Sequence, residues 1–514
     1  MPMPMALLAK RAVALFEHQG WLDSVHFDIM GGSIGGSLVA TLGDWLLVLM
    51  AVALLAILLS AAWRRGGRNF GPGTTPVVTP NLMLIALPTI LAGSLISLYA
   101  GIYAITLVAI VSLCTRKARN DRLKLAWPCA ILPVAALVIV LRPNGPSSAL
   151  NVLFFAMASI AIARAVYLST SKSSALVSLV DGTGVLLVAS VILWSAGFDG
   201  PRDRTAGLEN SLTGGERVVF PLSNSLAATP AIAAVYIAAV IPTLIAYRRY
   251  RVFRLFAAAC GVAIFILSDS RVSLASALVL SACVLLAPRF FRGSAPWLIG
   301  ATLFVPFIYG YIQDTVGRIM VAVSSYVPWV IRPGEEVSTL NSRDYIWSQS
   351  VTFYAERLDW VDRMFGFGSY GHVDSGASAY YYHNFSGLGR DDRLMTPHSS
   401  ILQILFDGGW LVACILAVTI VYMAWVLSRR SSYIGLVGLA MLGALSIVGI
   451  TEVALSPGHA QPTWWVLVAL SMIVFSQEPR APRDNVRLDA TRKAEPSDRT
   501  VIQPAVSLVS APKW

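Results

Sequence analysis

Apolar runs of roughly 18 or more residues recur along this chain from Trp45 to Ser476, and a helix needs about 20 such residues to cross a hydrocarbon core. Inside lipid, only a helix satisfies every backbone donor and acceptor within one such segment. The runs therefore dictate an all-α polytopic membrane fold. Composition agrees: 56% of the residues are hydrophobic and 13% charged, about half the charged fraction of a soluble domain. Hydropathy predicts spans near 45–63, 81–98, 101–115, 125–141, 147–167, 174–196, 228–247, 255–268, 272–288, 296–311, 401–427, 432–455 and 463–477, about twelve or thirteen transmembrane helices.

The formal charge of +11 does not point to nucleic acid, because the basic residues gather at span ends. The clusters are Arg64, Arg65 and Arg68; Arg116, Lys117 and Arg119; Arg248, Arg249 and Arg251; and Arg429 and Arg430. Such clusters mark cytoplasmic loops. Alternating sides from the Arg64 loop puts every one of them in the cytoplasm and both long polar loops, 197–227 and 312–400, outside. The chain then divides into an N-terminal segment, 1–44, whose side is open. A first part of the bundle follows (45–311), then a large periplasmic loop (312–400), the last part of the bundle (401–477) and a disordered cytoplasmic tail (478–514), rich in proline and charge. Residues 6–16 read as an interfacial helix on either face. The N-terminus carries no cleavable signal pattern. The five cysteines fall in or beside apolar runs, without disulfide or metal-ligand spacing.

The large loop is the informative part. It has about ninety residues and is rich in aromatics, and structureless loops beyond about 15 residues are uncommon unless functional or disordered. Its stretch 343–358 places Tyr345, Ile346, Gln349, Phe353 and Arg357 near helical spacing, which predicts an amphipathic surface helix. Three of the six histidines lie in this loop. His398 precedes the eleventh span, where it meets both lipid and aqueous phase; its plain reading is an interfacial polar cap beside Pro397 and Ser399. His372 and His383 have no marked surroundings and are expected to lie less centrally. Arg271 sits in a turn between two short apolar runs, and an ionisable residue near membrane depth is a functional candidate. Its plain reading is snorkelling, or a pair with Asp269. Arg343 is the third candidate, its plain alternative being a solvated charge or a pair with Asp344. The glycines at 366, 368 and 371 lack the strand–turn–helix context of a nucleotide site.

Two arginines and a histidine at the mouth of an apolar bundle suit a phosphorylated lipid substrate. A guanidinium matches phosphate oxygens bidentately and keeps its charge, and a histidine is suited to accept a hydroxyl proton.

Four stretches, in order, carry a resemblance to the bacterial O-antigen ligase and O-antigen polymerase superfamily. They are PLSNSLAA at 221–228, SDSRVSLAS at 268–276, NSRDYIW at 341–347 with FGFGSY at 365–370, and HSSILQILFDGG at 398–409. The similarity is strongest from about 205 to 427. Ser399 stands where the family usually has Asn, Val412 where a second glycine is common, and the segment before Asn224 lacks the usual Gly-x-Phe.

The resemblance implies a multi-pass protein of the bacterial inner membrane, GT-C-related in fold. It implies a metal-independent, inverting glycosyltransferase with no cofactor, whose active site faces the periplasm. The donor would be a glycan on undecaprenyl diphosphate, and the acceptor a growing glycan or a lipid core. A polymerase for cell-surface or exopolysaccharide is preferred over a ligase, as the broader branch. By the same resemblance Arg271 and Arg343 would bind the diphosphate, His398 would be the base, and Asn224 and Tyr370 are candidate substrate contacts. A transporter or flippase for a lipid-linked glycan is the alternative. It predicts charges at mid-membrane, of which Asp181 is the clearest, with helix packing as its plain reading.

Overall fold

The computed structural model describes residues 123–142, 149–198, 213–223, 225–326, 343–382, 395–457 and 462–478, with isolated positions besides. The expected spans at 45–63 and 81–98, nearly all of 101–115, the N-terminal segment, the tail beyond 478, His383 and Asn224 lie outside the described residues. After a 3-10 turn at Trp127–Ala130 come α1 (Ile131–Val140), α2 (Ala149–Tyr167), α3 (Lys172–Ser195), α4 (Ala228–Ala246), α5 (Arg251–Ser268), α6 (Arg271–Leu286), α7 (Pro288–Thr302) and α8 (Val305–Tyr326). The expected outer loop contributes α9 (Arg343–Glu356), α10 (Trp360–Phe365), α11 (Gly371–Asp374) and α12 (Ala377–Tyr382). The chain then returns through α13 (Ser400–Ser428), α14 (Tyr433–Thr451) and α15 (Pro462–Phe475). No strand occurs among the described residues. One antiparallel bridge joins Lys124 to Gln477.

Five of these helices are long and apolar enough to cross a membrane, or six if α7 and α8 form one bent span. The protein is an α-helical, multi-pass membrane protein, as the apolar runs dictate. The helices α3, α4 and α14 bury 83, 78 and 83% of their apolar windows, whereas α5 and α13 bury 39 and 44%. The first three therefore form the centre, and the latter two keep a face for lipid. Lipid removes the hydrophobic drive between helices, so close packing must come from small side chains. The contact face of α4 is accordingly alanine, with Ala231, Ala234 and Ala238 buried. On α14, a Cβ at Gly443 would meet Leu280 at 3.0 Å.

Asp181, on α3, is fully buried and paired with Arg254 of α5, Nε to Oδ1 at 2.7 Å and Nη2 to Oδ2 at 3.0 Å. The remaining guanidinium nitrogen donates to the carbonyls of Tyr247 and Arg249, at 3.1 and 3.0 Å. Tyr236 donates its hydroxyl to the Arg254 carbonyl at 3.0 Å. The buried charge is thus satisfied by an ion pair that ties α3 to α5.

The structure departs from the predicted spans in two places. The run 296–311 is not one straight span: α7 and α8 meet at 100°. Leu303 and Phe304 close α7 with tight three-residue bonds to Gly300 and Ala301. Pro306 then restarts a helix whose first turn needs no N–H from it. Helix α8 runs on to Tyr326, through residue 312 where the outer loop is expected to begin. The run 401–427 is likewise interrupted, at Gly409 (φ 65°, ψ −169°). Helix α9 forms where predicted but turns a different face inward: Ile346, Trp347, Ser350 and Tyr354 are buried, a stripe displaced from the expected one.

Candidate active site

The interruption of α13 organises the site. Breaking a helix at Gly409 frees the carbonyls of the preceding turn, and these need donors. The glycine-rich stretch supplies them: Phe367 N donates to Phe406 O at 2.8 Å and Gly368 N to Asp407 O at 2.7 Å. Gly366 has φ +67°, and a Cβ on it would lie 2.6 Å from the backbone at 407–409. That contact explains glycine here without any nucleotide.

Below this junction lies a buried polar chain. Asp407 accepts from Gly371 N at 2.9 Å, from Gln403 Nε2 at 2.7 Å and from Ser456 Oγ at 2.6 Å. Gln403 Nε2 also lies 2.9 Å from His372 Nδ1. His372 is fully buried in this chain. The reason is the close docking of Gly371 onto the Phe406 carbonyl, which carries the next residue inward. Tyr370 (φ +59°) stands at the start of this turn, its ring 6.3 Å from that of His372.

Glu452, just past the end of α14, collects the other predicted residues. Arg343 Nη2 bonds Glu452 Oε1 at 2.6 Å. His398 Nδ1 faces Glu452 Oε2 at 3.9 Å, beyond a direct hydrogen bond. The side chains of Arg343, His398 and Glu452 are 21, 35 and 25% exposed, so the group borders solvent. Arg343 therefore does not pair with Asp344, whose carboxylate accepts instead from Gln313 at 3.2 Å. Burial opposes charge on Glu452, but Arg343, His398 and Arg217 together outweigh it and hold the carboxyl below its ordinary range. A depressed carboxylate contributes its full stability above the ordinary glutamate value and loses it only as pH falls through the lowered one. Glu452 is thus ionised at neutral pH.

Arg217 links this group to the turn that carries Arg271. Its guanidinium donates to the carbonyls of Ser268 and Asp269, at 3.0 and 3.4 Å, while its charge bears on Glu452. Asn210 donates to the carbonyls of Ile266 and Leu267. Together they satisfy the open C-terminus of α5. Asp269, buried and in the left-handed region at φ +50°, holds Arg271 Nε at 3.2 Å, the plain pairing for this arginine.

His398 is held in an uncommon backbone state, φ +47°, which costs a non-glycine residue about 1–2 kcal/mol. Trp347 Nε1 donates to its carbonyl at 3.4 Å, and Tyr309 packs edge-on against that indole. Ser400 fixes the other side. Its Oγ donates to Glu452 O at 2.8 Å and accepts from Ala454 N and Leu455 N, at 2.9 and 3.0 Å. Strain of this kind persists only where surroundings enforce it, and it gathers at working sites.

Of the predicted site residues, Arg343 and His398 come together on Glu452, and Arg271 joins through Asp269 and Arg217. Asn224 lies outside the described residues. Glu452, Arg217 and the Asp407 chain are additions that sequence reasoning missed. Glu452 had a signal, a lone acid inside the predicted span 432–455. Arg217 had none, being one loop charge among several. Among the described residues, no three His, Cys, Asp or Glu side chains converge to hold a metal. No protein-family model matches the chain, and no curated protein matches it.

Proposed function

We propose that the protein is a glycosyltransferase of the O-antigen ligase and polymerase type, GT-C-related in fold. It transfers a glycan from undecaprenyl diphosphate to a sugar acceptor on the periplasmic face of a bacterial inner membrane, in cell-surface or exopolysaccharide assembly. The observation that carries this reading is the meeting of Arg343 and His398 on one carboxylate, with Arg217 and the Arg271 turn alongside. The four motif stretches supply the substrate class.

The arrangement suits an inverting displacement. The acceptor oxygen attacks the anomeric carbon, the carbon–oxygen bond to the diphosphate breaks, and undecaprenyl diphosphate leaves with the bonding electrons. Arginine donors fixed before the reaction stabilise the charge that develops on the leaving group. The acceptor proton passes to His398. With Nδ1 turned toward Glu452, the ring offers Nε2 to the acceptor, and the carboxylate stabilises the imidazolium that forms. Arg343 must trade Glu452 for a phosphate oxygen when donor arrives, so donor binding would loosen the Arg343–Glu452 contact.

The test follows product chain length, or acceptor modification, with purified lipid-linked donor and full-length protein. Arg271→Lys is expected to lower turnover by about two to three orders of magnitude although charge is kept, because an ammonium cannot reproduce the bidentate fork. Chelator is expected to leave the wild-type rate unchanged. Loss of activity on chelation, with recovery on a divalent cation, would reject the arginine account and turn attention to Asp269 and Asp344.

A further inference from the structure

At the opposite pole from Arg343 and His398, where α3 begins and α13 ends, a groove of about 390 Å³ opens between the 3-10 turn at Trp127–Ala130, α13 and α15. Two cations face it. Lys172 is 8% exposed, and its ammonium uses one of three protons on Val474 O at 2.8 Å. The Arg430 charge bears directly on Lys172, and the two repel. Glu478 partly offsets the charge of Lys172, and its carboxylate accepts from Lys172 N at 3.3 Å. Arg430 has no carboxylate partner among the described residues.

The walls are aromatic and apolar. Trp127 is 80% and Tyr422 50% exposed, large values for rings lining a groove. Tyr422 stacks on Phe475 and on Trp425, each at 5.7 Å, and Arg429 lies 3.9 Å over the Trp425 ring. Beyond the groove, Val134 and Val138 of α1, the helix that continues the 3-10 turn, and Val418 of α13 are exposed. Tryptophan and tyrosine settle at the level of lipid headgroups, and basic pockets between helices at the cytoplasmic side bind anionic headgroups.

We propose that this groove binds an anionic phospholipid, its phosphate between Lys172 and Arg430 and its acyl chains along the valine rows of α1 and α13. Charge complementarity selects this occupant. A neutral lipid would leave two like charges facing each other, and a free anion would leave the apolar walls bare. By the positive-inside pattern the pole is cytoplasmic, the orientation used in the proposed function, but recognition of the headgroup is independent of glycosyl transfer.

The test is native mass spectrometry of full-length protein in detergent, titrated with phosphatidylglycerol and with phosphatidylcholine of the same acyl chains. Each basic side chain is expected to contribute about five-fold, so wild type should prefer phosphatidylglycerol by roughly 25-fold. Arg430→Gln should cut that preference about five-fold, and Arg430→Lys should restore most of it. Melting temperatures show that each variant is folded, and Arg430→Gln carries the test even where a Lys172 variant fails to fold. Millimolar inorganic phosphate should not displace the lipid. Equal binding of the two lipids, or unchanged preference in Arg430→Gln, overturns the proposal; the groove would then belong to another occupant, such as the chain's own residues beyond 478. Displacement by phosphate overturns the lipid assignment in favour of a free anion. His398→Ala should bind phosphatidylglycerol as wild type does, so loss of the lipid site and loss of the transferase reading can be told apart.

Discussion

His398→Ala is expected to reduce glycan transfer by about two to four orders of magnitude, the usual contribution of a positioned general base. The chain should stay folded. The His398 side chain is 35% exposed and its Nδ1 makes no direct hydrogen bond. The contacts that fix the segment come from backbone and neighbours, namely Trp347 on the 398 carbonyl and Ser400 on the 452–455 turn. Alanine enters the left-handed region less readily than histidine, but by under about 1 kcal/mol, so the loss should appear chiefly in rate and only slightly in melting temperature. Near-normal transfer by His398→Ala would remove the base assignment. Glu452→Gln sharpens the result, because it keeps the side-chain volume and deletes the charge beside both Arg343 and His398. It should lower kcat while leaving KM for the donor unchanged or reduced, since Arg343 is released toward phosphate. A raised KM with unchanged kcat would mean that Glu452 serves donor binding and not the proton transfer.

How much of this was legible in sequence follows from what each signal depends on. Apolar runs report directly on helices in lipid, and the spans at 174–196, 228–247 and 272–288 match α3, α4 and α6 within a few residues. Breaks inside an apolar run are quiet in hydropathy. The Gly408–Gly409 pair and Pro306 were present in sequence, but leucine, valine and phenylalanine around them kept the average high. Only the tertiary contact shows why residue 409 must be glycine: a Cβ there would lie 2.4 Å from the Met364 backbone. The site divides in the same way. Arg343 and His398 were visible as charges at an apolar mouth. Their common partner was not, since Glu452 is more than fifty residues from His398 and meets it only because α13 and α14 pack side by side. The Asp407 chain needs the loop to fold back onto α13, which no local pattern encodes.

The second large effect concerns Asp181, and it separates the transferase from the transporter alternative. Asp181 is nine residues into α3, about 14 Å along its axis, at a depth where an unpaired charge has no water to turn to. Asp181→Ala leaves Arg254 buried and half-satisfied, and breaking a buried ion pair from one side costs about 3–5 kcal/mol. Much reduced yield of folded protein from the membrane is therefore expected. Replacing both members by apolar residues of similar size removes the stranded charge, and such exchanges are often neutral. Asp181→Leu with Arg254→Met should recover most of the stability, short of what the carbonyls of Tyr247 and Arg249 lose in donors. If Asp181 is packing alone, the recovered double variant should transfer glycan at close to the wild-type rate, because the pair lies on α3 and α5, away from Glu452. A transporter that uses this carboxylate as a coupling site predicts the reverse, a stable double variant without activity. Stability restored and activity lost would thus count against the site at His398 and in favour of one through the middle of the bundle.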